Sequence, residues 1–213
     1  MRFQAYTVLG GGLAVMLLAG CAASRLPLPP VGVSLQPGKF VQEYYLAPGF
    51  APEQPTYALG PFTVENSRGV GPGNFIPLLQ EELTRAWKAN GLKLAGKQPT
   101  CRLAATIHRI SISGRGWRFI KGRISASLTA SGVITCRGRI VFAFVDRLSL
   151  SSPVNPGPPA PGETELLLRS LSRELAHHLL NELLLHRLTA EARYKSANTL
   201  SSSRGRLLAV VIR

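Results

Sequence analysis

The sequence predicts an α+β fold, a two-layer sandwich in which two helices pack on one face of a mostly antiparallel sheet. Three observations predict it. Two segments, near 75–86 and 163–194, carry apolar residues at helical spacing. Three stretches between them alternate apolar and polar residues, the mark of strands with one dry and one wet face. The resulting order, β-α-β-β-β-α, leaves one apolar sheet face for both helices to cover.

The chain opens on Met1 to Gly20, which carry one charge, Arg2, followed by the apolar run "YTVLGGGLAVMLLAG". This reads as a secretory signal outside the fold. It ends in Leu18-Ala19-Gly20-Cys21, a bacterial lipobox: small residues before a cysteine whose sulfur is diacylglyceryl-modified before cleavage makes it the first residue. An uncleaved anchor is the competing reading, since no charge stands between Arg2 and Arg25. Three consecutive glycines and the position of Cys21 argue against it. Either way the chain beyond lies outside the cytoplasm.

Removal of the signal takes away only Arg2, so a formal net charge of +14 becomes +13 on the 193 residues from Cys21 to Arg213. A surplus this large attracts polyanions. Outside the cytoplasm these are phospholipid headgroups and lipopolysaccharide phosphates, and nucleic acid is not an expected partner. A solvated basic surface without a client is the alternative.

Residues 21–56 form the lipidated N-terminus and a Pro/Gly-rich tether, with a short extended piece at Phe40 to Leu46. The folded domain is expected over 57–194. Its first strand is "YALGPFTVEN", with Leu59, Phe62 and Val64 apolar. The loop "SRGVGPG" then opens a helix with Asn74 as N-cap and Pro77 in the first turn. Phe75, Leu79, Leu83 and Ala86 form its buried stripe, and Asn90-Gly91 its stop. In "CRLAATIHRISIS" the alternation slips around His108, as a bulge requires. "ISASLTAS" puts Ile124, Ala126, Leu128 and Ala130 inside and Ser125, Ser127, Thr129 and Ser131 in water. "RIVFAFVDRLSLS" repeats this through Ile140, Phe142 and Phe144. After a proline-rich loop, a helix from Glu163 to Tyr194 carries the stripe Leu168, Leu171, Leu175, Leu179 and Leu183, with Glu163 and Glu165 at its positive end. Residues 195–213 read as a flexible C-terminal tail.

A hairpin turning about residues 118 and 119 sets residue 113 against 124 and Cys101 against Cys136. With Cys21 assigned to lipid, these two cysteines remain as a pair, either a disulfide or two buried thiols. The same register puts "GRGWRFIKGR" at the hairpin tip, where Arg115, Arg118, Lys121 and Arg123 surround Trp117 and Phe119. Each exposed cation contributes on the order of 1 kcal/mol near an anionic surface before salt screening, so the tip orients rather than anchors. Arg115, Trp117, Arg118, Lys121 and Arg123 are the candidate ligand-binding residues. A solvated turn with its tryptophan folded back is the alternative.

No catalytic constellation accompanies them. The eleven acids include one aspartate, Asp146, and no Gly-x-Ser-x-Gly elbow occurs. Glu81 and Glu82 are read as dipole-compensating residues in the early turns of the first helix. His178, Glu182 and His186 share a helical face, but a polar helical face explains them more simply than a metal site. His177 and His108 have no evident partner. "GVGPGN" lacks the third glycine of a dinucleotide fingerprint and the lysine of a P-loop. The expectation is a protein that is not an enzyme and takes no cofactor or metal.

The lipobox, "FTVEN", "LLQEELTRAWKANG", "CRLAATIHRISIS", the later strands and the leucine-rich last helix together resemble the lipopolysaccharide-assembly lipoproteins of the LptE type, over roughly Tyr57 to Leu188. The chain departs from that family in the "AASRLP" after Cys21, where a Gly-aromatic pair is usual, and in its longer tether and tail. The resemblance implies a non-catalytic outer-membrane lipoprotein facing the periplasm. It would lodge beside or inside a β-barrel and contact lipopolysaccharide through basic residues. The alternative is an accessory lipoprotein of an ABC transporter or secretion complex that binds only protein.

Overall fold

A computed structural model describes residues 32–114, 122–154 and 161–208, with side chains to Leu185. The strands are β1 (Gln36–Pro37), β2 (Glu43–Leu46), β3 (Thr56–Val64), β4 (Ser67–Arg68), β5 (Lys93–Leu94), β6 (Cys101–Ser113), β7 (Ser125–Cys136) and β8 (Arg139–Ser151). The helices are α1 (Pro72–Ala89) and α2 (Glu163–Leu208). The sheet runs β1-β2-β8-β7-β6-β3-β5, with β4 beside β6. β6, β7 and β8 form an antiparallel meander, whereas β3 runs parallel to β6 with α1 as the crossover. Both helices lie on one face, so the α+β sandwich follows the sequence reading. Residues 43–46, inside the stretch read as a tether, pair with Phe142–Val145 of β8. α2 continues past Tyr194 to Leu208.

The hairpin register is set in two phases. Cys101 faces Cys136 and Ile107 faces Ala130, as the sequence register requires. A bulge at His108 then moves the pairing by one residue, so Ser113 faces Ser125 rather than residue 124. Cys101 and Cys136 are joined by a disulfide, with Cα atoms 4.1 Å apart.

The core lies between the sheet and the helices. Phe75, Leu79, Leu83 and Trp87 of α1 and Leu168, Leu171, Leu175, Leu179 and Leu183 of α2 are buried against Leu103, Ile107, Ile110, Leu128, Phe142 and Phe144. Gly132 makes room for the last of these: a Cβ there would stand 2.5 Å from the Phe144 ring and 2.8 Å from the Ala104 carbonyl. Tyr57 is fully buried, meets Trp87 edge-on with centroids 5.8 Å apart, and donates its hydroxyl to the Pro52 carbonyl at 2.7 Å.

Four local readings are corrected. α1 begins at Pro72 with Gly71 as N-cap, so Asn74 is not the cap and Pro77 lies inside the helix. Proline at 77 has no N–H for the carbonyl of Gly73 four residues back, so that acceptor stays outside the helical ladder. Glu81 and Glu82 are therefore mid-helix, and the first turn of α1 holds no acid. Ile140 is only half-buried, because an irregularity between Ile134 and Thr135 pairs it with Thr135 and leaves Val141 packed against the core. Ser131 is buried rather than wet, for a reason given below.

Candidate functional site

The sheet has two unlike ends. Cys101, Cys136 and Arg139 mark one, the cysteine end, and Ser113, Ser125 and Ser151 mark the other, the tip end. The N-terminal segment comes in from the cysteine end, since β1 runs antiparallel to β2 and β2 antiparallel to β8.

Several features converge at the tip end. The hairpin leaves the sheet at Gly114 and returns at Gly122. Gly114 has φ 91°, and a Cβ on it would meet the Arg123 carbonyl at 2.8 Å, so only glycine fits. The base of the hairpin is fastened to the end of β8: Ile124 N–H donates to Ser152 Oγ at 3.0 Å, and Ser152 N–H to the Ile124 carbonyl at 2.8 Å. Arg68, paired with Ser111 in register, is exposed. α1 starts here directly after β4, and α2 starts here after β8. The two helices run parallel, with Arg169 reaching Glu81 and Arg173 reaching Glu82. Both helix N-termini, each a partial positive charge, therefore point to the tip end, where Glu163 and Glu165 offset part of that charge.

Between the first turns of the helices lies a cleft of about 580 Å³, lined by Asn74, Pro77, Leu78, Thr164, Glu165 and Leu168 together with Gly73 and Gly162. Val154 and Leu166, at the same end, are the exposed large apolar residues of the described chain, 72% and 66% accessible.

Of the residues singled out from sequence, Arg123 is exposed at the base of this hairpin. Cys21, Arg115, Trp117, Arg118 and Lys121 lie outside the described residues. Cys101 and Cys136 are at the opposite end.

Sequence reasoning left His108 without a partner, and the structure supplies two. Nδ1 is 2.8 Å from Glu65 Oε2, and Nε2 is 2.7 Å from Ser131 Oγ. The bulge that shifts the hairpin register also brings His108 beside Ser131, a residue that is 1% exposed. A shallow depression of about 150 Å³ lined by Thr63, Thr106, Ser131 and Val133 adjoins it. A carboxylate–imidazole–hydroxyl row has the order of a hydrolase triad, but acyl transfer also needs donors aimed at a developing oxyanion. Ser131 is in the interior of β7, paired with Thr106 on one side and Val145 on the other, so the neighbouring backbone N–H groups serve the two ladders. The row is thereby a cross-strand hydrogen-bond chain on the open face of the sheet.

Two members of the helical trio, His178 and Glu182, have separate structural roles. His178 Nδ1 is 2.9 Å from Asp146 Oδ2, and its Nε2 is 3.4 Å from Glu174. Glu182 Oε2 accepts backbone N–H groups from Lys39, Phe40 and Val41 at 2.8, 2.7 and 3.4 Å. The side chain of His186 lies outside the described residues. Among those described, no group of three or more His, Cys, Asp or Glu is arranged to hold a metal.

Two buried carboxylates are displaced in opposite directions. Burial pushes the Asp146 carboxyl up, and His178 together with the N–H groups of Arg147 and Gln42 offsets only part of that. Burial also pushes Glu82 up, but the Arg173 and Arg85 guanidinium groups outweigh it and hold Glu82 below the usual carboxylate range.

No family model matches the chain, and no curated protein matches it. Among solved structures the chain is similar to a Xanthomonas campestris protein of the DUF330 family. The identity is 11%, over 69% of this chain and 93% of that one, with a TM-score of 0.45. It is similar also to a minor lipoprotein of Acinetobacter baumannii, 14% identical over 59% and 92% of the two chains, with a TM-score of 0.39. Rare lipoprotein B of Shewanella oneidensis is 12% identical over 61% and 98%, with a TM-score of 0.39. No helix among the described residues is long and apolar enough to cross a membrane.

Proposed function

We propose that this chain is a non-catalytic, lipid-anchored accessory protein of the bacterial envelope. It is attached through acyl chains on Cys21 and presents the tip end of its sheet to a partner. One observation carries the reading: the N-terminal segment arrives at the cysteine end, while the basic hairpin departs from the other. The 12 residues of β7 span about 40 Å between those ends. In this reading the bilayer that holds Cys21 lies on the side from which the N-terminal segment arrives, and the tip is directed away from it.

In the first form of this proposal the partner belongs to outer-membrane biogenesis. The protein is anchored in the outer membrane facing the periplasm, and Arg115, Trp117, Arg118, Lys121 and Arg123 contact lipopolysaccharide in transit or a β-barrel protein of its assembly. The two-ended geometry also favours a second form, an accessory lipoprotein of an ABC transporter or secretion complex that recognises only protein. In that form the cations stand off from the headgroups of their own membrane and meet acidic protein surface instead.

A photoreactive residue in place of Arg123, in the lipidated chain in intact cells, tests both. A lipopolysaccharide adduct supports the first form, and a defined envelope protein outside lipopolysaccharide assembly supports the second. The absence of any envelope adduct, or a bare thiol at Cys21 by mass spectrometry, would overturn the proposal.

A further inference from the structure

Resting on the reading that the bilayer lies on the side from which the N-terminal segment arrives, we infer that the last part of α2 is a second membrane contact, whose cations meet the anionic phospholipid headgroups of the bilayer that holds Cys21.

α2 starts at the tip end, packs on β8 and β7, and runs back along them toward the cysteine end. Its position along the sheet is fixed by His178, 2.9 Å from Asp146 of β8, and by Glu182, which accepts N–H groups of the β1–β2 bend. From Asp146 back to Arg139, where β8 begins, is about 24 Å at the rise of a strand. A helix covers that distance in about sixteen residues, so α2 draws level with the cysteine end near Tyr194. It continues to Leu208, a further run of about 21 Å beyond the described strands.

Charge changes sign along this one helix. Residues 163–191 hold five glutamates against three arginines, whereas residues 192–208 hold Arg193, Lys195, Arg204 and Arg206 and no acid. The helix macrodipole favours cations only around the last turn, which accounts for Arg204 and Arg206 but not for Arg193 and Lys195. Two such segments repel each other, so a second copy is not the complementary surface. An anionic bilayer is, and each cation that reaches its headgroups raises partition by about fivefold before salt screening. Acyl chains and a polybasic segment are the paired signals that make a stable attachment. Two points of attachment on one side also keep the tip directed away from the membrane.

The test uses the full lipidated chain reconstituted into vesicles, with a photoreactive residue in place of Leu200 in one preparation and of Arg123 in another. The vesicles are phosphatidylcholine alone or phosphatidylcholine mixed with phosphatidylglycerol. The expected result is a lipid adduct from the Leu200 position in the mixed vesicles and none from the Arg123 position. The Leu200-position yield should fall at least about fivefold in phosphatidylcholine alone, at high salt, and in the Arg193→Gln/Lys195→Gln/Arg204→Gln/Arg206→Gln background. The lipid and salt arms keep all four cations, so they decide the matter even where the fourfold variant fails to fold. A Leu200-position yield equal in both kinds of vesicle, or insensitive to the four substitutions, would overturn the inference, as would an adduct with a second copy of this chain. Silence from both positions overturns it while leaving the proposed function standing. A lipid adduct from the Arg123 position removes the two together.

Discussion

Glu182 Oε2 accepts the backbone N–H of Phe40 at 2.7 Å, and the same oxygen takes the N–H groups of Lys39 and Val41. One carboxylate on the second helix thus satisfies three successive N–H groups of the bend that joins β1 to β2, inside the Gly38 N–H to Gln42 carbonyl bond that closes it. β2 adds only four residues of pairing to β8, so the Glu182 contacts are a second point at which the N-terminal segment is held. In the proposed function that segment is the link between lipid and domain.

Glu182→Ala should therefore destabilise the protein by about 3 kcal/mol, since each hydrogen bond to a charged group contributes about 1.5–3 and the freed N–H groups partly rehydrate. Amide exchange is the specific readout. Protection should be lost over residues 36–46 and retained in β6 and β7. Equal protection of residues 36–46 in variant and wild type would show that the bend is held by something else.

Glu82 is 2% exposed between Arg85 and Arg173, so its ionised form is favoured by folding. A carboxyl depressed in the folded state gives stability that is full above its unfolded value, about 4.3, and is lost as pH falls through the folded value. Glu82→Gln should lower unfolding free energy by about 1–3 kcal/mol at pH 7, and the difference from wild type should shrink below pH ~4. Denaturant titrations at several pH values measure this. A difference that stays constant into acid would assign the effect to packing.

Asp146 has the opposite sign. Its carboxyl is raised chiefly by burial, so the stability tied to its protonated form is full below the unfolded value of about 3.9 and is lost as pH rises through the folded value. Relative to Asp146→Asn, the wild type should lose stability between pH 3 and pH 7. A wild type that instead gains on the variant over that range would mean that the pair with His178 outweighs desolvation.

The Cys101–Cys136 disulfide closes a loop across 35 positions of sequence. Replacing both cysteines with serine should reduce stability by about 3–4 kcal/mol in the chain-entropy account. Unfolding of the double variant reads the loss. Two free thiols in the unreduced wild-type protein would remove the basis of this prediction.

The row Glu65–His108–Ser131 should be chemically silent. Wild-type protein is expected to resist a fluorophosphonate that labels activated serines, with no difference from Ser131→Ala. Labelling that Ser131→Ala abolishes would mean that a donor pair forms which the ladder geometry denies.

Much of the fold was legible because burial imposes period. Leu168, Leu171, Leu175, Leu179 and Leu183 repeat on one helical face, and Ile124, Ala126, Leu128 and Ala130 on one strand face. All nine are buried. The cysteine pairing was legible for the same reason, because register runs unbroken from Cys101 to Ile107. The break in alternation around His108 marked the bulge, but nothing local told which residues the bulge would bring together. Glu65 and Ser131 lie 43 and 23 positions away from it. The start of α1 was misread because a proline tolerated inside a helix looks, in sequence, like one at its beginning.

The sequence by itself determined the α+β order and the facing cysteines, since each is written in neighbouring residues or a repeating period. Tertiary structure alone decided that the hairpin and the incoming N-terminal segment occupy opposite ends. It also decided that two parallel helices open a cleft at the hairpin end, and that Glu182 and Asp146 turn inward on distant backbone. Strand direction and order fix these relations, and they depend on contacts between residues far apart in the chain.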